Sequence, residues 1–308
     1  MKCRFITLIV MLATFDVGRS LLHAGTIQVP NGSFESPTTT YVRINVDSWQ
    51  KTPKPDWYVE DGSFLWSQLV GIFKNQQDST FIDNCDGTQA IWLFAVPEAG
   101  FFQDYESVEG TNTVPSHDFD ATFQVGKAYR MTVGLLVGRN AGTPMLEGVT
   151  LDMSLYYRDA LSNRVSVATT VVTNLYSVFT NGNHFLDREV NLPVVKPDDP
   201  WAGKHIGIQF ISTVISNMQG GYWDLDNVRL VEITPAELTA NAWTNNQFHL
   251  TLTGETNAVF EILASTNATL SVTNWTALAT VTNTTGTVPF VDTSGMFEQR
   301  WYQARQLP

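Results

Sequence analysis

The chain has 308 residues, enough for two domains of ordinary size. Thirty acids against 18 bases give a net charge of −12, which excludes a nucleic-acid binder that works through a basic face. With 43% hydrophobic, 12% aromatic and 16% charged residues, it carries the material for a large core and is not a disordered chain.

At the N-terminus, Lys2 and Arg4 precede an apolar run from Phe5 to Phe15, and Leu22-His23-Ala24 ends in a small residue. This is the pattern of a secretory signal peptide over residues 1–24, and it predicts a secreted protein, extracellular or periplasmic. Asp16 stops the run short of the roughly 20 residues that a membrane span requires. Removal of residues 1–24 takes Cys3 with it. Cys85 is then the one cysteine of the mature chain, and no intramolecular disulfide is available to it.

Phe64 to Phe73 reads as the best helix, with Leu65, Leu69, Ile72 and Phe73 on one face, although Gly71 weakens it. Elsewhere the period is two. Tyr129–Val133, Thr150–Tyr156 and His205–Phe210 are short alternating runs rich in β-branched and aromatic residues, as in an antiparallel sandwich. Tyr222–Leu230 reads as a closing strand, and a boundary follows near Thr234-Pro235. Residues 235–308 contain no Lys, and their only bases are Arg300 and Arg305. Strand runs at Phe248–Leu252, Val259–Ala264, Trp275–Val281, Val288–Val291 and Trp301–Ala304 fit a small immunoglobulin-like or fibronectin-like sandwich with Trp275 and Trp301 in its core. The expected fold is therefore all-β: a sandwich over 25–234 and a smaller one over 235–308.

Val29-Pro30-Asn31-Gly32-Ser33-Phe34-Glu35-Ser36-Pro37 and Asp224-Leu225-Asp226-Asn227-Val228-Arg229-Leu230 bracket some 200 residues. Between them lie Pro55-Asp56-Trp57, Asp86-Gly87-Thr88-Gln89-Ala90 and Phe123–Tyr129. That order resembles the galactose-binding-like jelly rolls of carbohydrate-binding modules and related secreted bacterial proteins, over roughly 25–234. The tail resembles a C-terminal module of large secreted proteins of the Verrucomicrobia and Planctomycetes, through Phe260–Asn267, Asn274-Trp275, Gly286–Asp292 and Arg300–Ala304.

The jelly-roll resemblance implies a structural calcium ion joining the first strand's turn to the last strand. The matching ligands are Glu35 and Asp226, with oxygens from Asn31 and Ser33 and with Asp224 as the alternate, because calcium takes six to eight hard oxygens. It also implies a glycan partner. Trp57, Tyr58 and Trp66 are the loop aromatics suited to stacking on sugar faces, whereas Trp92 and Trp223 read as core. Catalysis has little support in the sequence. Glu60-Asp61 would face apart in a strand, Glu106 and Glu109 lie in a loop, and His117, His184, His205 and His249 lack zinc spacing. The sequence thus favours a non-catalytic secreted or surface protein that binds carbohydrate. A polysaccharide-active enzyme and a purely structural or adhesive component are the alternatives.

Overall fold

The computed structural model describes residues 25–308 except 63, 109–113, 139–143, 181, 246, 295–296 and 308. The expected signal peptide, residues 1–24, lies outside the described residues. Backbone contacts divide the chain into two compact units, Thr26–Glu232 and the segment from Ile233 onward.

The first unit is built from β1 (Gly25–Ile27), β2 (Val42–Arg43), β3 (Gln50–Lys51), β4 (Val70–Lys74), β5 (Gln89–Phe94), β6 (Gly100–Gln103), β7 (Ala128–Val137), β8 (Thr150–Arg158), β9 (Arg164–Thr173), β10 (Leu186–Leu192), β11 (Gly207–Ser212) and β12 (Tyr222–Ile233). They form a seven-stranded sheet in the order β10-β7-β12-β5-β4-β2, with β1 also on β12, and a five-stranded sheet in the order β3-β6-β11-β8-β9. This is the expected β-sandwich. Apolar residues at alternate positions of each sheet meet in one core. Phe101 sits at its centre, 5.0 Å from Phe210, 5.2 Å from Trp49 and 5.9 Å from Phe34, ring to ring.

The two bracketing segments are neighbours. The Val228 amide donates to Gly32 O at 2.8 Å, and a Cβ on Gly32 would stand 2.6 Å from Val228 O, so only glycine allows that approach. The expected helix at Phe64–Phe73 does not form. A single 3₁₀ turn, Trp66–Gln68, runs straight into β4. The ladder to β5, from Val70↔Leu93 to Lys74↔Gln89, satisfies the backbone and overrides the helical spacing of the leucines.

The second unit holds β13 (Glu237–Thr244), β14 (Gln247–Thr253), β15 (Ala258–Ser265), β16 (Thr276–Asn283), β17 (Thr287–Asp292) and β18 (Trp301–Gln306). They form two three-stranded sheets, β13-β14-β17 and β16-β15-β18. The core is Leu238, Leu250, Leu252, Ala258, Phe260, Ile262 and Ala304. Trp275 is buried and Trp301 half-buried, and both stand outside that cluster. β13 escapes the sequence reading because Leu238 is its one fully buried side chain, too few to make an alternation visible. Among the described residues no helix is long and apolar enough to cross a membrane.

Candidate active site

β12 runs through the middle of the seven-stranded sheet, between β7 and β5. Successive side chains on a strand face opposite ways. Trp223 and Leu225 enter the core, so Asp224 and Asp226 stand on the other face, which turns away from the five-stranded sheet. Both acids are buried, at 6% and 0% exposure. Two carboxyls on one buried face, two residues apart, are the most unusual chemistry in this unit.

Their surroundings differ. Asp226 accepts the Asp86 amide at 2.6 Å and the Asn227 amide at 2.7 Å. Burial pushes its pKa up to about 7, against the opposing pull of these two amides. Asp224 makes no hydrogen bond among the described residues, and its Oδ1 is buried without a partner. Burial alone holds its carboxyl well above the usual carboxylate range, which favours the protonated form.

Aromatic and apolar side chains surround Asp224. It lies directly across from Trp92 on β5, and Tyr222 on its own strand lies across from Phe94. Directly opposed residues of an antiparallel pair share a face with Cβ atoms about 5 Å apart. On the β7 side, Gly138 donates to Tyr222 O and Gly134 lies against Asp226 O, which sets Leu136 beside Asp224. Leu136 packs with Ile82, Ala90 and Phe185 in a small apolar cluster outside the main core, with Phe73 and Cys85 at its margin. Sequence reasoning missed Trp92 as a site residue. Ala90–Phe94 is apolar throughout and hides which face each residue takes, and only the strand register separates Trp92 from the core residues Ile91 and Leu93.

The residues expected to bind calcium are scattered in role. Glu35 Oε1 accepts the Thr88 and Gln89 amides, both at 2.7 Å, and its Oε2 accepts the Thr88 hydroxyl at 2.9 Å. Glu35 and Asp226 therefore do converge on one loop, Asp86–Gln89, but they hold it through its own N–H and O–H groups. Asn31 turns elsewhere, donating to Ser36 O and Asp47 O and accepting the Ser36 amide. Ser33 stays in the turn and Asp224 is walled in by apolar groups. Among the described residues no group of three or more His, Cys, Asp or Glu side chains is placed to hold a metal ion. Cys85, between Glu35 and Asp226, donates its thiol to Gln89 O at 3.1 Å. Burial and the two acids push its pKa far up, which suppresses the thiolate.

The expected loop aromatics do gather. Trp57, Tyr58 and Trp66 meet edge to face at 5.0–6.3 Å. Trp66 is a core residue at 6% exposure, bonded to Thr52 O, and only Trp57 is open to solvent. On the five-stranded sheet, a cleft of about 320 Å³ is bordered by Asp104, Tyr105, Arg158 and His205. There Asp104 is bound by Tyr156 and Arg158, and His117 and His205 stack on Tyr105, each 4.0 Å from its ring.

The carboxyl of Asp226 gives a testable consequence. Its folded pKa of about 7 exceeds the ordinary 3.8, so the stability tied to its protonated form is complete below pH 4 and is lost as pH rises to about 7. Asp226→Asn cannot ionise. We predict that its melting temperature relative to the wild type climbs between pH 4 and 7 and is flat above. An offset equal at pH 4 and pH 8 would refute the assignment.

Comparison with known proteins follows this geometry. A family model described as HpiC1-like, HpiC1 cyclase, matches residues 25–231. A cyclase from Fischerella sp. TAU is similar in structure, with 21% identity, a TM-score of 0.50, and coverage of 69% of this chain and 98% of that one. Another, a cyclase from Fischerella sp. TAU in complex with 4-(1H-indol-3-yl)butan-2-one, gives 22% identity, a TM-score of 0.51, and coverage of 69% and 99%. A family 16 carbohydrate-binding module gives only 15% identity and a TM-score of 0.30 over 65% of this chain and 96% of that one, too weak to support a glycan partner. No curated protein matches the chain. The family match overturns the expectation of a non-catalytic carbohydrate binder, and with it the glycan stacking role expected of Trp57, Tyr58 and Trp66. The jelly-roll likeness was to fold, and fold does not carry ligand. With a match over two thirds of its length, on the unit that holds Asp224 and Asp226, the chain belongs to the HpiC1-like cyclase family.

Proposed function

We propose that the chain is an acid catalyst of ring closure in a small, apolar, aromatic-bearing molecule, with Asp224 as the proton donor. The observation that carries this reading is a buried carboxyl whose Oδ1 has no partner, on the face that Trp92, Tyr222 and Leu136 share. An apolar wall with one polar group is the usual make-up of a small-molecule site. The related Fischerella cyclase that binds an indole-bearing ketone supports the substrate class.

The chemistry follows from the environment. A carboxyl whose protonated form is favoured by burial is suited to act as a general acid. Asp224 gives its proton to a carbon of a substrate π-bond, whose electron pair forms the new C–H bond. The cation left behind is attacked by a second π-bond of the same molecule, which closes the ring. A proton then leaves the cyclised cation for the Asp224 carboxylate, and the acid is restored. The apolar neighbours exclude water that would otherwise trap the cation.

Two further proposals accompany this reading. Residues 1–24 direct export of the chain, supported by the charged, apolar and small-residue segments of that stretch. Expressed in a secreting host, the protein should begin at Gly25 by N-terminal sequencing, and a retained Met1 in the exported protein would refute it. The tail from Ile233 is a module of the type found in secreted Verrucomicrobia and Planctomycetes proteins, supported by the residues that carry that resemblance and by its two three-stranded sheets.

We predict that Asp224→Asn lowers kcat on an indole-bearing alkene about 10²–10⁴-fold. The wild-type rate should hold at low pH and fall as pH rises through the raised pKa of Asp224, because the acid must be protonated to act. Carboxyl NMR should place its proton still on at pH 7. Full activity in Asp224→Asn, or an ionised Asp224 at pH 6, would defeat the reading.

A further inference from the structure

The two aromatic neighbours of Asp224 both lie over glycines. Trp92 on β5 is opposite Gly71 on β4, and a Cβ on Gly71 would stand 2.4 Å from the Cη2 and Cζ2 atoms of the Trp92 ring and 2.5 Å from Arg43 O of β2. The Trp92 ring therefore extends away from β12 and lies on the bare backbone of β4. Its Nε1–H is fixed there by Gln68 O at 3.1 Å. On the other side, a Cβ on Gly138 would stand 1.9 Å from Cε2 of Tyr222 and 2.3 Å from its Cδ2. The Tyr222 ring thus leans off β12 onto the end of β7. Neither glycine has the positive φ that would demand glycine for backbone reasons, so the need is for space alone.

The consequence is geometric. The strands run in the order β7-β12-β5-β4. Rings lying over the outer two flank the inner two, β12 with Asp224 and β5, where Phe94 stands on the same face with its ring 5.8 Å from that of Tyr222. Neighbouring strands are about 4.8 Å apart, so the inner strands span roughly 10 Å, comparable to two fused aromatic rings with their van der Waals margins. Tyr222 continues outward through Phe94 at 5.8 Å and Phe64 at 5.1 Å, and Phe64 is half exposed, so an aromatic track leads from the site toward solvent.

We propose that Gly71 and Gly138 are specificity-determining residues that set the width of the Asp224 site by holding Trp92 and Tyr222 apart. This rests on the reading of Asp224 as the acid of an apolar ligand site. A methyl at either position would force its ring back toward Asp224 and narrow the gap. Flat ligands of one ring would still fit, and those of two rings would not.

Phenol and 2-naphthol serve as width gauges for the full chain, with affinities from calorimetry and contact from the Trp92 indole N–H resonance. The wild type should bind both, with the Trp92 resonance shifted by each. Gly71→Ala should weaken 2-naphthol at least tenfold and phenol less than twofold. Gly138→Ala should behave alike, rescued by Tyr222→Leu. Should Gly71→Ala fail to fold, Trp92→Phe alone provides the test, because a wider gap should improve 2-anthrol binding at least tenfold. Equal losses for phenol and 2-naphthol, no rescue, or no gain for 2-anthrol would overturn the width assignment while leaving the acid site standing. Failure of the wild type to bind either gauge would overturn both.

Discussion

A single strand has to serve two incompatible environments. β12 is covered on one face by the sandwich core, where Trp223 and Leu225 are fully buried, and on the other it presents two acids that are also buried. A register slip of one residue would put Asp224 and Asp226 into the core and Trp223 outside, which no local rearrangement could repair. The register is fixed from both sides, by the ladder to β5 and by the approach of Gly32 to Val228 near the start of the chain. The placement of the proposed acid is therefore inherited from the packing of the whole sheet rather than from its own loop or hydrogen bonds.

The two acids show how environment divides chemically identical groups. Asp226 meets two backbone amides and serves to fasten the Asp86–Gln89 loop onto the sheet. Asp224, two residues earlier, lies across the ladder from Trp92 and shares its face with Tyr222, and its Oδ1 meets no donor. Glu35 repeats the fastening role on the same loop with three donors. The loop is thus held by carboxyl groups that accept from its own N–H and O–H groups.

Much of this architecture was legible in the sequence. Alternation exposed β7, β8 and β11, and the motifs at Asn31–Glu35 and Asp224–Leu230 announced that the ends of the first unit meet. The helix expected at Phe64–Phe73 failed because apolar residues there serve a 3₁₀ turn and a strand in succession, and a composite pattern can mimic a 3.6-residue period. The site was harder to see. Asp224 carries no sequence mark that separates it from Asp226, since what distinguishes them is the absence of a donor, a property of neighbours 80 to 140 residues distant. Trp92 was hidden for the opposite reason, in a run so uniformly apolar that its facing could not be read. The likeness to carbohydrate-binding jelly rolls captured the shell and misled on the contents.

Cys85 has a consequence of its own. Thiol–disulfide exchange proceeds through the thiolate, and the surroundings of Cys85 suppress that form by burial and by the two acids beside it. It is the one free cysteine among the described residues. In an oxidising medium, where a lone thiol commonly links one chain to another, burial first and then the carboxyls that fasten the loop disfavour the thiolate that such crosslinking requires.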